Sequence, residues 1–147
     1  MADETINMIE RHIDLIVVHA TATYATMDVG VEWIDRLHKK FGWKGCGYHF
    51  VIRRDGTVEA GRDVSIPGAH AKGFNANSIG ICYAGGLDPK GDPEDNRTPE
   101  QKEAMRSILD TLTHVFPEAK VVGHRDLPEV RKACPCFDVK EWYYGED

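Results

Sequence analysis

The chain has 147 residues, of which 41% are hydrophobic and 29% charged, and its formal net charge is −6. This length and composition are typical of one soluble globular domain that can bury a core of its own, and we expect a monomer. The acidic balance, without a Lys/Arg cluster, argues against nucleic acid as a partner. No apolar run approaches the roughly 18 residues that a membrane span needs, so we expect no membrane insertion.

The first elements are an extension, a buried strand and an amphipathic helix. Residues 1–12 are polar and predict an N-terminal extension to a domain over 13–147. They lack the basic and then apolar regions of a secretory signal peptide, so we expect the protein to be cytoplasmic on synthesis. The β-branched run IDLIVV predicts a central strand that ends at His19. Apolar residues spaced by three and four over 29–41 predict a helix that Gly42 ends.

The later elements alternate between strands and helices. Further strands are predicted over 48–53, 57–60, 78–83 and 120–122, with helices over 98–115 and after Asp138. The segment Thr98-Pro99-Glu100-Gln101 is typical of a helix start, with a capping threonine and a proline at the first helical position. The alternation predicts a single α/β domain with a central mixed β-sheet flanked by helices.

Two histidines and a cysteine form a candidate metal site. His19 ends IVVHA and His124 ends KVVGH, so both follow strands, and ligand sites collect at the carboxyl ends of strands in α/β sheets. Cys134 follows in KACPC. Two imidazoles and a thiolate suit zinc, and three protein ligands leave a catalytic position open. Spacing alone leaves a packing role open for each residue, and Cys136 is a rival ligand. The four cysteines, at 46, 82, 134 and 136, are expected to be reduced thiols or metal ligands.

The motifs resemble those of a known family over nearly the whole chain. The matching segments are IVVHATAT at 16–23, GWKGCGYHFVIRRDGTVEAGRD at 42–63, GAHAKGFNANSIGICYAGG at 68–86, TPEQ at 98–101 and GHRDLPEVRKACPCFD at 123–138. The chain resembles the type 2 N-acetylmuramoyl-L-alanine amidases, most closely the small phage lysozymes with amidase activity. The fold of these enzymes is shared with peptidoglycan recognition proteins.

The resemblance implies roles for particular residues. It implies one catalytic zinc ion held by His19, His124 and Cys134, with Tyr48 and Lys132 required for cleavage. Zinc lowers the pKa of its bound water toward ~7. Lys132 is then expected to stabilise the oxyanion that forms on the attacked carbonyl, and Tyr48 to hydrogen-bond the water or the oxyanion.

Two more residues are expected to line the substrate side of the site. These are His70 and Asn75 in GAHAKGFN, although Asn75 has the alternative of shaping the loop backbone. His49 is expected to be structural, because it points to the opposite face of its strand from Tyr48.

The resemblance also implies a substrate and a biological setting. The expected reaction is hydrolysis of the amide bond between N-acetylmuramic acid and L-alanine in peptidoglycan or soluble muropeptides. Without a signal peptide, the enzyme is expected to reach the cell wall after a separate partner permeabilises the membrane. Two alternatives remain: a regulator that binds a phage RNA polymerase, with or without amidase activity, and a muropeptide-binding module without catalysis.

Overall fold

Seven strands and three helices make up the part of the chain described by the computed structural model, residues 11–145. The strands are β1 (Leu15–Ala20), β2 (Thr23–Tyr24), β3 (Phe50–Ile52), β4 (Val58–Ala60), β5 (Ser78–Tyr83), β6 (Gly86–Leu87) and β7 (Lys120–Gly123). The helices are α1 (Val31–Lys40), α2 (Pro99–Val115) and α3 (Val139–Tyr144). The order of these elements confirms the predicted α/β class.

Five strands form one mixed sheet in the order β4-β3-β5-β1-β7. Strand β1 runs parallel to β5 and β7, whereas β3 and β4 pair antiparallel. Ile16, Val17 and Val18 of β1 are fully buried, as expected for a strand that is covered on both faces. The apolar run therefore predicted the central strand, although β1 extends to Ala20 and so includes His19.

Helix α2 packs its apolar stripe on this sheet. The buried Met105, Leu109 and Leu112 are spaced by four and three residues, so they lie on one helical face. The predicted capping box is present: Thr98 Oγ1 accepts from the Gln101 backbone N–H at 3.0 Å, and the Gln101 side chain accepts from the Thr98 N–H at 3.0 Å. The predicted helix start is confirmed.

Two details differ from the sequence prediction. Strands β2 and β6 form a small parallel sheet where no strand was predicted, because two-residue strands are too short to show alternation. In α1, Ile34 and His38 are the buried residues, whereas Trp33 is 40% exposed. The predicted apolar face was therefore partly wrong, since α1 covers only a small cluster of buried side chains.

The domain boundary was predicted at residue 13, but residues 1–10 lie outside the described part of the chain. Arg11 is held against the domain, where its guanidinium donates to the carbonyl oxygens of Val64 at 2.7 Å and Ser78 at 3.1 Å. Within residues 11–145, none of the helices combines the length and the apolarity needed to cross a membrane.

Candidate metal centre

Three potential metal ligands converge at the carboxyl ends of β1 and β7. His19 belongs to β1 and is 2% exposed, while His124 begins a 3-10 turn directly after β7. Cys134 lies in the loop before α3. One donor atom from each residue lies within 4.8 Å of the others. Parallel pairing of β1 with β7 brings the two histidines together, as expected for strand ends at one edge of a sheet.

The donor set fits a zinc ion. Tetrahedral zinc takes imidazole nitrogen at ~2.0–2.1 Å and thiolate sulfur at ~2.3 Å, which puts ligand atoms roughly 3.5 Å apart. The Cys134 Sγ lies 4.0 Å from His19 Nδ1, so small side-chain rotations would bring these atoms to that spacing. Two nitrogens and one sulfur make a ligand set of the kind that catalytic zinc uses.

Two hydrogen bonds hold the Cys134 segment against the sheet. The backbone N–H of Ala20 donates to Cys134 Sγ at 3.2 Å, and the Tyr83 hydroxyl donates to the Pro135 carbonyl oxygen at 2.7 Å. Burial raises the pKa of the Cys134 thiol to about 11, and the Ala20 N–H opposes this rise. A cation is therefore needed to favour the thiolate in this environment.

A buried arginine holds the chain beyond Pro135. The Arg97 guanidinium lies 3.4 Å from the centroid of the Phe137 ring and 4.5 Å from that of Trp142. Its Nε also donates to the Asp95 carboxylate at 2.9 Å, which compensates the buried charge. This stack joins the loop that carries Cys134 to α3. Arg97 was not predicted from the sequence, since nothing local signals a stacking partner 40 residues away.

The other cysteines lie outside the donor cluster. Cys136 Sγ donates to the Gly86 carbonyl oxygen at 3.3 Å, away from the two histidines, and Cys46 Sγ donates to the Tyr48 carbonyl oxygen at 3.6 Å. All four cysteines are free thiols. Cys82 pairs with His19 in the register of β5 and β1, so its thiol lies under the site.

Tyr48 lies beside the ligand His19. Their ring centroids are 5.1 Å apart. Burial raises the pKa of Tyr48 well above its ordinary value, so the hydroxyl keeps its proton and can donate it in a hydrogen bond. For Cys82 the sequence predicted only a reduced thiol or a metal ligand, because a strand pattern does not show which buried side chain lies next to a site.

Lys132 is exposed at the rim of a cavity of about 640 Å³ that His124 also lines. Burial first, and then the Lys132 charge, lower the pKa of His124. Lys72 and Arg131 line the same cavity together with the single acid Glu129, so its walls carry a positive excess. Such a cavity favours negative charge next to the candidate ligands.

His70 and Asn75, the two predicted substrate residues, face the site differently. His70 is 9% exposed, and its Nδ1 lies 2.8 Å from His19 Nε2. Burial lowers the pKa of His70 to about 3. Asn75 Oδ1 accepts hydrogen bonds from the backbone N–H groups of His70 and Ala71 at 2.9 and 3.0 Å. Asn75 thus shapes the loop that carries His70, while contact of either residue with substrate stays a prediction.

His49 directly precedes β3 and is fully buried. Its Nδ1 accepts from the Gly80 backbone N–H at 3.0 Å, and its Nε2 lies 2.8 Å from the Ile66 carbonyl oxygen, to which it donates. Both nitrogens are thus used by the backbone, in agreement with the structural role that was predicted for His49.

Comparisons with known proteins identify a matching family and similar relatives. Residues 10–137 match the family described as N-acetylmuramoyl-L-alanine amidase. The chain is 53% identical to the endolysin of Klebsiella phage KP32 over 87% of this chain and 83% of that protein. It is 49% identical to the endolysin of Escherichia phage T7 over 88% of this chain and 85% of the relative.

A solved structure has the same fold. The N-acetylmuramoyl-L-alanine amidase LysC of Clostridium intestinale superposes with a TM-score of 0.75 at 30% sequence identity. The match covers 91% of this chain and 81% of LysC. With the family match across residues 10–137 and the relatives near 50% identity, the chain belongs to the N-acetylmuramoyl-L-alanine amidase family.

Proposed function

We propose that this protein is a zinc-dependent amidase that hydrolyses the bond between N-acetylmuramic acid and L-alanine in bacterial peptidoglycan. The observation that carries the proposal is the cluster of His19, His124 and Cys134, whose donor atoms lie within 4.8 Å of one another in a chain of this family. A zinc site with a purely structural role usually has four protein ligands. Among residues 11–145 the cluster has three, which leaves a position for water or substrate and favours a catalytic zinc ion.

The residues around the cluster suit hydrolysis of an amide. A bound zinc ion would act as a Lewis acid and would lower the pKa of a water molecule at the open position. Lys132 would offset the negative charge that develops on the attacked carbonyl oxygen, and its lining of the same cavity as His124 supports this role. The protonated Tyr48 hydroxyl offers a neutral donor beside His19.

The proposed setting is lysis of a bacterial cell wall from within. The relatives from phages KP32 and T7 are endolysins, which supports the same use for this chain. Peptidoglycan or its soluble muropeptides would be the substrate, reached once a separate partner has opened the membrane. Binding to a phage RNA polymerase stays a prediction, since no feature of the described residues favours it.

The test is product analysis on purified sacculi. The zinc-loaded protein should release stem peptides with a free amino-terminal L-alanine, which mass spectrometry detects, and should create no new reducing sugar ends. A chelator should abolish release, and added zinc should restore it. Cys134→Ser should be inactive, whereas Cys136→Ser, which changes a thiol outside the cluster, should keep its activity. Cleavage that resists chelation, or new reducing ends, would refute the proposal.

A further inference from the structure

The two ring nitrogens of His19 face different partners. Nδ1 lies on the side of Cys134, 4.0 Å from its sulfur, whereas Nε2 lies 2.8 Å from Nδ1 of His70. Only Nδ1 therefore faces the proposed metal position. The His70 ring in turn places its own Nε2 3.2 Å from the Ser78 hydroxyl oxygen. The three side chains form one hydrogen-bonded series that runs from the candidate ligand into the core.

The series has one consistent arrangement of protons when His19 binds a metal through Nδ1. That nitrogen must then offer its lone pair, so the proton of the neutral His19 ring is on Nε2. His19 Nε2 therefore donates to Nδ1 of His70. The single proton of a neutral His70 is consequently on Nε2, from which it donates to Ser78. In this arrangement every ring nitrogen of the two histidines has a partner.

Close packing and hydrogen bonds fix the position of His70. A Cβ atom at Gly80 would lie 2.6 Å from the His70 ring, and one at Gly68 would lie 2.7 Å from it, so the ring fills space that only glycine leaves free. Asn75 fixes the backbone through its two hydrogen bonds to the N–H groups of His70 and Ala71. Backbone and ring of His70 are thus both held in place.

We propose that His70 is a positioning residue that holds His19 in the tautomer and orientation required for metal binding, with Ser78 as the last member of the series. This inference rests on the proposed function, because it assumes that His19 binds zinc. Partners of this kind, which accept from the second nitrogen of a ligand histidine, commonly change metal affinity by about 10- to 100-fold. His70 would thus act on the metal through His19, and not by direct contact with substrate.

The first experiment compares the zinc affinities of folded variants. The wild type and the variants His70→Leu, His70→Asn and His49→Leu are stripped of metal, checked by circular dichroism, and titrated with zinc against a competing chromogenic chelator. His70→Leu should bind zinc about 10- to 100-fold more weakly. His70→Asn keeps an acceptor near the position of Nδ1 and should recover most of the affinity. His49→Leu removes a second buried imidazole that does not bond to His19, and should bind zinc as the wild type does.

The second experiment needs no variant. Nitrogen-15 NMR of the histidine rings in the zinc-loaded wild type should find the His19 proton on Nε2 and a coupling across the hydrogen bond to His70. A proton on His19 Nδ1 would overturn the inference, and so would a folded His70→Leu protein that binds zinc as tightly as the wild type. A higher KM with unchanged zinc affinity in that variant would assign His70 to substrate contact instead.

Failure of the proposed function and failure of the His70 role give different results. A wild-type protein that neither binds zinc nor releases stem peptides would refute the proposed function. A wild-type protein that does both, beside a His70→Leu variant with the same zinc affinity, would refute only the role of His70.

Discussion

Lys132 is an exposed residue for which a large effect on catalysis is expected. If it stabilises charge in the transition state, Lys132→Ala should lower kcat/KM by about 100-fold or more, since one such contact contributes about 3 kcal/mol. Zinc affinity should not change, because Lys132 is not a ligand. The measurement is the rate of release of stem peptide from a soluble muropeptide.

Arg131→Ala is the matched control for Lys132→Ala. It removes one positive charge, as Lys132→Ala does, but from the preceding residue, which lines the same cavity. We expect a much smaller loss of activity from it. Equal losses in the two variants would indicate that the charge of the cavity matters in general, and would contradict a specific role for Lys132.

His49 should make the stability of the fold sensitive to acid. Burial lowers the pKa of His49 to about 4, and the nearby cations Arg11 and Arg62 add to this effect while Asp63 opposes it. In the unfolded chain His49 takes up a proton as the pH falls through about 6.5. In the folded chain His49 stays neutral until the pH approaches about 4. Stability is therefore complete above about pH 6.5 and is lost as the pH falls toward 4. The loss reaches at most about 3 kcal/mol.

The measurement is urea unfolding at several pH values between 7.5 and 4.5, with zinc in equal excess throughout. His49→Asn keeps an acceptor for the Gly80 N–H but does not titrate, so its free energy of unfolding should fall less with acid than that of the wild type. The loss that remains should come from other buried histidines such as His38 and His70, whose pKa values burial also lowers. An equal dependence on pH in the two proteins would show that His49 is not responsible.

Among the elements, α2 offers a test of its amino-terminal cap. Thr98→Ala removes the acceptor for the Gln101 N–H and a 2.7 Å hydrogen bond to the Arg54 carbonyl oxygen. We expect the free energy of unfolding to fall by about 1–2 kcal/mol. Thr111→Ala is the control: within residues 11–145 its hydroxyl bonds only to the Ser107 carbonyl oxygen on the exposed face of the helix, so the change should be near zero. Chemical denaturation that ranks the two variants the other way would contradict this account.

The elements also show what the sequence could predict. β5 was predicted with its observed limits and α2 to within one residue, because a mostly apolar run and a capping box are local signals. The candidate ligands were found by their positions after strands and by family resemblance. The contact between His19 and His70 could not be predicted, because it joins residues 51 positions apart, one on β1 and one in the loop before β5. The path of a loop across a sheet depends on tertiary packing, which no local pattern specifies.

For the whole molecule, removal of zinc should lower the thermal stability. The proposed ligands His19 and Cys134 are separated by 115 positions, so a bound ion would link the first strand to the loop before the last helix. A zinc concentration about 1,000-fold above Kd should stabilise the folded state by about 4 kcal/mol. For a domain of this size that corresponds to about 10 °C in Tm.

Differential scanning calorimetry with and without chelator measures this difference. Cys134→Ser should show little or no shift on addition of zinc, whereas Cys136→Ser should show the full shift. A wild-type Tm that does not depend on zinc would argue against a tightly bound ion.

The central position of β1 has a consequence for the kinetics of folding. This strand is made early in the chain, but both of its neighbours, β5 and β7, come much later. Because its pairings close long loops before they gain stabilising contacts, we expect folding to be slow for a protein of this length, on the order of milliseconds to seconds. The pocket for the ion needs residues from β1, from the turn after β7 and from the Cys134 loop, so activity should appear only after these distant segments have come together.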